Sequence, residues 1–349
     1  MRPTFSILCF TVLSGIGYGV WFLTGLGLAI GMLCGPATPA EAGVTLPLCR
    51  FALFDLVGFG VALVFVVAGL LCSLGHLGRP ARAWRALSQW RSSWLSREGV
   101  AAVLTFVPVA IVALQQAACA YHAWTAPMYG TVEPHGWNER AWDTTWLPLL
   151  GVLIALGSAA TVFCTGNIYA SLKPIRAWHD RHVVPAYLLL GLYGGTLLLW
   201  ASGTLAGATS TERRVLMLGT IVLAVAGFWL KLRYWRSIDA QSPASAGHAT
   251  GLEALGTVRS FEQPHTEENY LTHEMGFVLA RKHARKLRAI ALVAAFVLPA
   301  VLAALGLLFP SAPALPAAAA LVAGLAGLFV ERWLFFAQAR HAVIAYYGR

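Results

Sequence analysis

Charged residues are scarce in this chain of 349 residues. Asp, Glu, Lys and Arg together make up 11% of the sequence, whereas hydrophobic residues make up 58%. Because ordinary soluble domains are about one quarter charged, this composition excludes a soluble enzyme or a soluble binding domain. The mean hydropathy of +0.67 instead predicts a membrane protein with several spans.

Cysteines are also few, and no two of the six form a C-x-x-C pair. Iron–sulfur clusters and structural zinc ions need clustered thiolates, so we expect neither in this chain. Most of the cysteines lie in or beside apolar runs, where they are expected to be small buried side chains. They are Cys9, Cys34, Cys49, Cys72, Cys119 and Cys164.

None of the ten histidines lies in the middle of an apolar run. A haem within the bilayer would need histidines on facing helices at that depth, so we expect no haem. A nucleotide phosphate loop, a metalloprotease helix and a serine-hydrolase nucleophile motif are also missing. The protein is therefore expected to carry no metal, haem or iron–sulfur cluster of its own.

The sequence does contain eight apolar runs, each long enough to cross a bilayer as a helix of about 20 residues. Backbone groups within lipid must be satisfied inside their own segment, which favours helices. We therefore predict an all-α bundle of eight transmembrane helices that forms a single integral membrane domain over residues 1–349. The first run is too long for a signal peptide and is expected to remain as a span. The windows are roughly 5–33, 52–74, 99–120, 146–170, 184–206, 214–231, 289–309 and 314–336.

Glycines recur along the first and last runs, at Gly15, Gly17 and Gly19 and at Gly324 and Gly327. Small residues at helix interfaces let two backbones approach closely within a membrane. We therefore expect the first and last spans to pack tightly against their neighbours.

The 25 Lys and Arg residues are distributed unevenly between alternate loops. The loops after the second, fourth and sixth runs, with the two tails, carry 21 of them, and the opposite loops carry four. The positive-inside rule then predicts that both termini and loop 72–100 are cytoplasmic. Arg213 and Arg214 form the one discordant pair. Cations in loops beside a membrane are expected to contact lipid head groups, so the net charge of +10 does not indicate a nucleic-acid partner.

The largest loop covers residues 232–288 and is predicted to be cytoplasmic. Its first half resembles a flexible linker. From about Tyr270 onward the sequence fits an amphipathic helix with five cations between 281 and 288. Such a helix either lies on the lipid surface or docks another protein. We expect segment 265–288, together with the arginines of loop 72–100, to dock a partner subunit.

Ionisable residues beside membrane spans are energetically costly, so their presence suggests a functional role. Asp55, His76, Glu98 and Glu331 are the candidates. His76 lies where the second run stops and Glu98 where the third starts, so the two bracket loop 72–100 on the predicted cytoplasmic side. Histidine titrates near neutral pH, and a quinone head group needs hydrogen bonds at two carbonyls and two protons per reduction. We interpret His76 and Glu98 as catalytic residues of a quinone site; helix capping by the same side chains is the alternative.

The head group is expected between the second and third spans, near the cytoplasmic surface. There His76 would donate to one carbonyl and Glu98 would relay a proton from the cytoplasm. Arg79, Trp84 and Trp90 are expected to line the pocket wall, although arginine and tryptophan are also ordinary interfacial anchors. The quinone, ubiquinone or menaquinone, would be a substrate.

The stretches SLGHLGRPARAWRAL and SWLSREGV, in a protein with eight spans, resemble the membrane anchor subunits of the dimethyl sulfoxide reductase family, within the polysulfide-reductase-like quinone-reactive anchors. In that family a histidine in an HLG motif and a glutamate in an LS-x-E motif are implicated in quinol binding, and they match His76 and Glu98. The resemblance also implies no haem or metal in this protein. It implies two partners, an iron–sulfur electron-transfer subunit and a molybdopterin catalytic subunit.

The predicted topology differs from that of the best-known dimethyl sulfoxide reductase anchors, whose quinol site faces the periplasm. A cytoplasmic loop 72–100 is similar to the anchors of cytoplasm-facing sulfite dehydrogenases, in which electrons run from sulfite to quinone. We therefore favour quinone reduction. The alternatives are a quinol-oxidising anchor of a dimethyl sulfoxide reductase, a passive anchor, and a secondary transporter, although no repeat and no mid-span charge indicates a transporter.

Overall fold

The computed structural model is all helical in the part of the chain that it describes, which confirms the predicted fold class. Eight helices contain segments long and apolar enough to cross a membrane, so the protein is a multi-pass membrane protein. The helices are α1 Phe5–Ala29, α2 Leu53–Leu74, α3 Trp94–Tyr129, α4 Leu147–Ala170, α5 Val183–Leu205, α6 Ser210–Asp239, α7 Ala284–Leu308 and α8 Ala314–Ala337. The described residues are 3–31, 53–75, 77–129, 146–241, 245–259, 261–262, 283–310 and 313–347.

Three helices, α3, α6 and α7, extend several residues beyond the windows predicted from hydropathy, and the extensions of α3 and α6 matter for the polar residues. α3 begins at Trp94, so Glu98 lies inside the helix rather than before it. α6 begins with a capping box between Thr209 and Glu212 and continues to Asp239, so Lys231 lies inside a span. The helices continue past the apolar windows as long as one face can pack against the bundle.

α1 lies at the centre of the first half of the bundle and packs against α2, α4 and α5. Its contact with α5 is backbone to backbone, since a methyl group at Gly19 would overlap the carbonyl of Gly191, and one at Gly195 would lie 2.5 Å from the carbonyl carbon of Gly19. α3 packs on the outer side of α4. The close packing predicted for the first glycine-rich run is therefore confirmed.

The second half is built in the same way around α5, which also packs against α6 and α8, while α7 packs on α6 and α8. A methyl group at Gly327 of α8 would overlap the backbone of Ala295 in α7. Ala295 lies in a π-helical turn, Val293–Val297, and its carbonyl accepts a hydrogen bond from the Tyr193 hydroxyl of α5. The wide turn thus exposes a backbone acceptor that a neighbouring helix satisfies.

The starts of α1, α3, α5 and α7 and the ends of α2, α4, α6 and α8 form one end of the bundle, here called the loop face. A 3₁₀ helix, Pro80–Gln89, lies on it and packs against α3. Segment 171–182 is tied down more firmly, because the Trp178 indole donates to the Phe335 carbonyl at 3.0 Å and the Tyr234 hydroxyl to the Ala177 carbonyl at 3.0 Å. Residues 263–282, most of the predicted docking segment, lie outside the described residues.

Candidate functional site

Glu98 lies one turn into α3 and faces the interior of the bundle, with 6% of its surface exposed. The Thr165 hydroxyl of α4 donates a short hydrogen bond to Glu98 Oε1. A buried carboxyl group needs such partners, because its charge has lost the solvation of water. Glu98 is therefore built into the contact between α3 and α4.

The Thr165 hydroxyl lies between two oxygens, since Thr165 Oγ1 is also 3.0 Å from the Thr161 carbonyl. A hydroxyl carries one proton but can also accept. It can donate to an ionised Glu98, or accept from a protonated Glu98 while donating to the carbonyl. The local structure therefore satisfies both protonation states of Glu98 with little rearrangement, as a proton-exchanging group requires.

Three buried tyrosines interact electrostatically with this carboxyl group. They are Tyr18 of α1, Tyr169 of α4 and Tyr187 of α5. The rings of Tyr169 and Tyr187 are stacked, with centroids 5.6 Å apart. Tyr169, Tyr187 and Glu98 lie within about one turn of the helix ends at the loop face, whereas Tyr18 lies more than three turns into α1.

The other residues predicted for the site do not meet Glu98 in the described part of the chain. His76 lies outside the described residues. Arg79 is exposed, and Trp84 and Trp90 are 67% and 52% exposed on the 3₁₀ helix and the turn that follows it. Their role in a pocket wall therefore stays a prediction. Their positions on the loop face also suit interfacial anchors.

Arg97, the neighbour of Glu98, connects this surface to α3. Its guanidinium donates to the carbonyls of Trp90 at 3.1 Å and Arg91 at 2.6 Å, and it lies 4.4 Å above the Trp94 ring. Adjacent residues thus have opposite tasks, because Arg97 holds the loop while Glu98 enters the bundle. Within the described residues α2 and α3 do not form a packed pair, and Glu98 faces α4 rather than α2, the neighbour expected from the sequence.

A second buried polar group contains Glu331, which the sequence singled out, and two cations, Lys231 and Arg332. Both were counted among the 21 cations of the loops and tails, although they lie near the ends of the sixth and eighth predicted windows. Lys231 Nζ of α6 lies 2.5 Å from Glu331 Oε1, and Arg332 Nε lies 2.5 Å from Glu331 Oε2. All three side chains are at least 95% buried. The available signal was that apolar residues continue past both cations, as in the stretch from Phe329 to Phe336.

Asp180, in the segment between α4 and α5, ties that segment to α6. It accepts hydrogen bonds from the Ser237 hydroxyl at 2.5 Å and from the backbone N–H of His182 at 2.9 Å. The His182 ring also contacts it at 2.6 Å. Burial opposes the charge, but these hydrogen bonds outweigh burial and hold the pKa of Asp180 below its ordinary value. Asp55, the remaining sequence candidate, has its side chain outside the described part.

Comparisons with known proteins agree with this architecture. A family model described as "DMSO reductase anchor subunit (DmsC)" matches residues 1–119. The protein is 33% identical to the C subunit of sulfite dehydrogenase from Allochromatium vinosum over 352 residues, 99% of each sequence. It is 26% identical to the C subunit of anaerobic dimethyl sulfoxide reductase from Escherichia coli, over 57% of its own length and 59% of the relative. No solved structure matches. The resemblance inferred from loop 72–100 is thereby confirmed, and the protein belongs to the dimethyl sulfoxide reductase anchor subunit family.

Proposed function

We propose that this membrane anchor subunit is the quinone-reactive subunit of a molybdopterin iron–sulfur oxidoreductase. It would pass electrons between the iron–sulfur subunit and the quinone pool, with sulfite oxidised and quinone reduced. The observation that carries the proposal is the buried Glu98 with its two-way hydrogen-bond partner Thr165. The choice of sulfite as the substrate rests on the Allochromatium vinosum relative, a sulfite dehydrogenase subunit that the protein matches over 99% of its length.

Reduction of a quinone consumes two electrons and two protons. The electrons would come from the partner's terminal cluster, and the protons must reach a head group that sits away from bulk water. Glu98 would deliver a proton to a quinone oxygen and then be reprotonated from the loop face, while Thr165 reverses its hydrogen bond. His76 would donate a hydrogen bond to the second carbonyl, and the reprotonated Glu98 would supply the second proton. Buried polar groups that change charge state need partners for both states, and Thr165 provides them for Glu98.

The loop face is proposed to be cytoplasmic, in a bacterial inner membrane. Lys231 and Arg332 are buried in spans, which leaves 19 of the 21 Lys and Arg residues first counted on that side, against four on the other. The excess of cations on the loop-face side therefore remains when these two buried residues are left out of the count. Reporter fusions after residue 349 and within residues 125–140 test this orientation. A C-terminus on the outer side would contradict it.

Docking of the iron–sulfur subunit is proposed on the loop face. The exposed 3₁₀ helix Pro80–Gln89 presents Arg82, Trp84 and Arg85 there, with Arg85 5.5 Å from the Trp84 ring centroid. Arginine and tryptophan are enriched where proteins bind one another. Deletion of residues 255–270 should release the soluble subunits from membranes. If the soluble subunits stay fully bound to the membranes, this loop does not dock them.

The test compares quinone-linked and dye-linked activity in isolated membranes. Glu98→Gln and His76→Ala should each lower sulfite-dependent quinone reduction by about a hundredfold to ten-thousandfold, which is the usual cost of a lost proton relay. Activity with an artificial dye, which takes electrons from the soluble subunits, should stay within twofold. Glu253→Gln, the same change at a side chain 68% exposed, is the matched control. Normal quinone turnover in both variants would contradict the quinone site and favour a passive anchor.

The opposite direction, quinol oxidation coupled to dimethyl sulfoxide reduction, is the second candidate. It is favoured by the family model and by the Escherichia coli relative, which belongs to an anaerobic dimethyl sulfoxide reductase. Membranes offered either sulfite with quinone or quinol with dimethyl sulfoxide distinguish the two directions. Turnover of the second pair alone would replace the sulfite proposal and keep the quinone site.

A further inference from the structure

The buried cluster of Lys231, Glu331 and Arg332 holds two cations and one carboxylate. Each cation contacts a different oxygen of the same carboxylate, so one negative charge faces two positive charges. The cluster therefore carries an excess positive charge in a low-dielectric interior, where an uncompensated charge is costly. An anion nearby would remove that cost.

Two donors beside the cluster have no hydrogen-bond partner in the described structure, and neither does Glu331 Oε1, whose 2.5 Å contact with Lys231 is an ion pair. The two donors are Nη2 of Arg332 and the hydroxyl of Tyr187, on side chains that are 4% and 5% exposed. The guanidinium lies above the tyrosine ring, 4.3 Å from its centroid, and interacts with the phenol, but no aligned hydrogen bond joins Arg332 Nη2 to the Tyr187 hydroxyl. Two buried donors are thus left without an acceptor, which is unusual in a folded protein.

Both side chains line one cleft between α1, α5 and α8. Gly15 and Gly191 leave the space, and the remaining wall is apolar apart from Thr11. The cleft has a volume of about 20 Å³, which admits one or two oxygen atoms but no complete head group. A ligand would therefore insert an oxygen between the two donors and leave its bulk outside.

The depth of the cleft identifies where that ligand resides. Arg332 lies five residues before the end of α8 and Tyr187 four residues after the start of α5. At 1.5 Å per residue these positions are about 6–8 Å below the loop face, close to the boundary between head groups and hydrocarbon. The apolar wall suits an acyl chain, and basic pockets between spans at this level bind anionic head groups.

We propose that this cleft binds the phosphate oxygen of an anionic membrane phospholipid, with Arg332 and Tyr187 as donors. The phosphate compensates the excess charge of the cluster and satisfies both unpartnered atoms. Free inorganic phosphate shares this chemistry but lacks the acyl chain that the apolar wall would contact. Tyr187 also lies within electrostatic range of Glu98, but Glu98 is not a donor in this cleft, and the lipid site does not depend on the proposed quinone function.

The test uses the full-length protein, purified in detergent and stripped of lipid, with thermal stabilisation as the binding signal. Titration with phosphatidylglycerol should give an affinity at least tenfold above that of zwitterionic phosphatidylcholine. Arg332→Gln should weaken phosphatidylglycerol binding about tenfold to a hundredfold and Tyr187→Phe about tenfold. Arg340→Gln, which removes an exposed charge at the same end of the bundle, should change nothing.

Tyr187→Phe keeps all three ionic side chains, so it decides the outcome if Arg332→Gln does not fold. Equal affinity for the two lipids, or unchanged phosphatidylglycerol binding in Tyr187→Phe, would overturn the site. Stabilisation by inorganic phosphate that equals that of phosphatidylglycerol, and is lost in both variants, would replace the lipid by a free anion. Displacement of phosphatidylglycerol by a short-chain quinone at equal concentration would overturn the proposal of a lipid site and indicate that the cleft binds quinone.

Discussion

Removal of Glu331 should destabilise the bundle far more than removal of Lys231, one of the two cations that it holds. Glu331→Gln leaves Lys231 and Arg332 as two like charges that face each other with no carboxylate between them. Loss of one partner from a buried ion pair typically costs about 3–5 kcal/mol. Since Glu331 pairs with both cations at 2.5 Å and is fully buried, we expect a loss at the upper end of that range.

Lys231→Met, by contrast, leaves the pair of Glu331 and Arg332 intact and removes the excess charge. A methionine of similar length fills the space of the lysine stem, so we expect less than half the cost of Glu331→Gln. Asp239→Asn is the control, because this carboxylate also pairs with an arginine at 2.5 Å but is 59% exposed. Exposed pairs contribute about 0–1 kcal/mol.

The measurement is unfolding by titration with sodium dodecyl sulfate from a mild detergent, followed by circular dichroism. The expected order of stability loss is Glu331→Gln, then Lys231→Met, then Asp239→Asn. A loss in Lys231→Met equal to or greater than that in Glu331→Gln would refute the reasoning from net charge. It would show instead that packing of the lysine stem dominates at this position.

Gly19→Ala should cost about 1–3 kcal/mol in the same titration, because the methyl group would overlap the α5 backbone. Gly60→Ala meets no atom within 4 Å and should cost nothing. Asp180→Asn should destabilise the protein at pH values above 3.8, the ordinary pKa of aspartate. The difference in stability from wild type should disappear as the pH falls through the lower pKa of Asp180 in the folded protein. A difference in stability that does not depend on pH would contradict the charge argument. Thr165→Val should slow quinone turnover, but less than Glu98→Gln, because water can replace a hydroxyl but not a carboxyl group.

The positions of the eight helices could be predicted from the sequence because a bilayer admits few alternatives. Long apolar runs must be helical in lipid, and the glycines of α1 and α8 mark where two backbones approach. Glu98 was also identifiable, since its motif and its position at the start of a run are local features. Its partner Thr165 was not, because the two residues are 67 positions apart and meet only when α3 packs on α4.

Lys231 and Arg332 were misassigned for a physical reason. The end of a hydropathy window is not sharp, so these two cations, near the ends of windows 214–231 and 314–336, were counted with the adjoining loop and tail. The structure instead buries both against Glu331, where a carboxylate and the aromatic rings of Tyr187 and Tyr234 compensate the loss of water. Whether a cation near the end of a span is buried depends on its partners on other helices, and no local sequence feature reveals those partners.

The most direct test of a quinone site at Glu98 is labelling by a photoreactive quinone. The analogue is bound to the assembled complex in native membranes, irradiated, and the labelled peptides of this protein are identified by mass spectrometry. Label within residues 72–105 and 161–170, abolished by excess natural quinone and reduced at least tenfold in Glu98→Gln, is the predicted result. Competable label confined to α6, α7 and α8, with those two segments unlabelled, would contradict a site at Glu98.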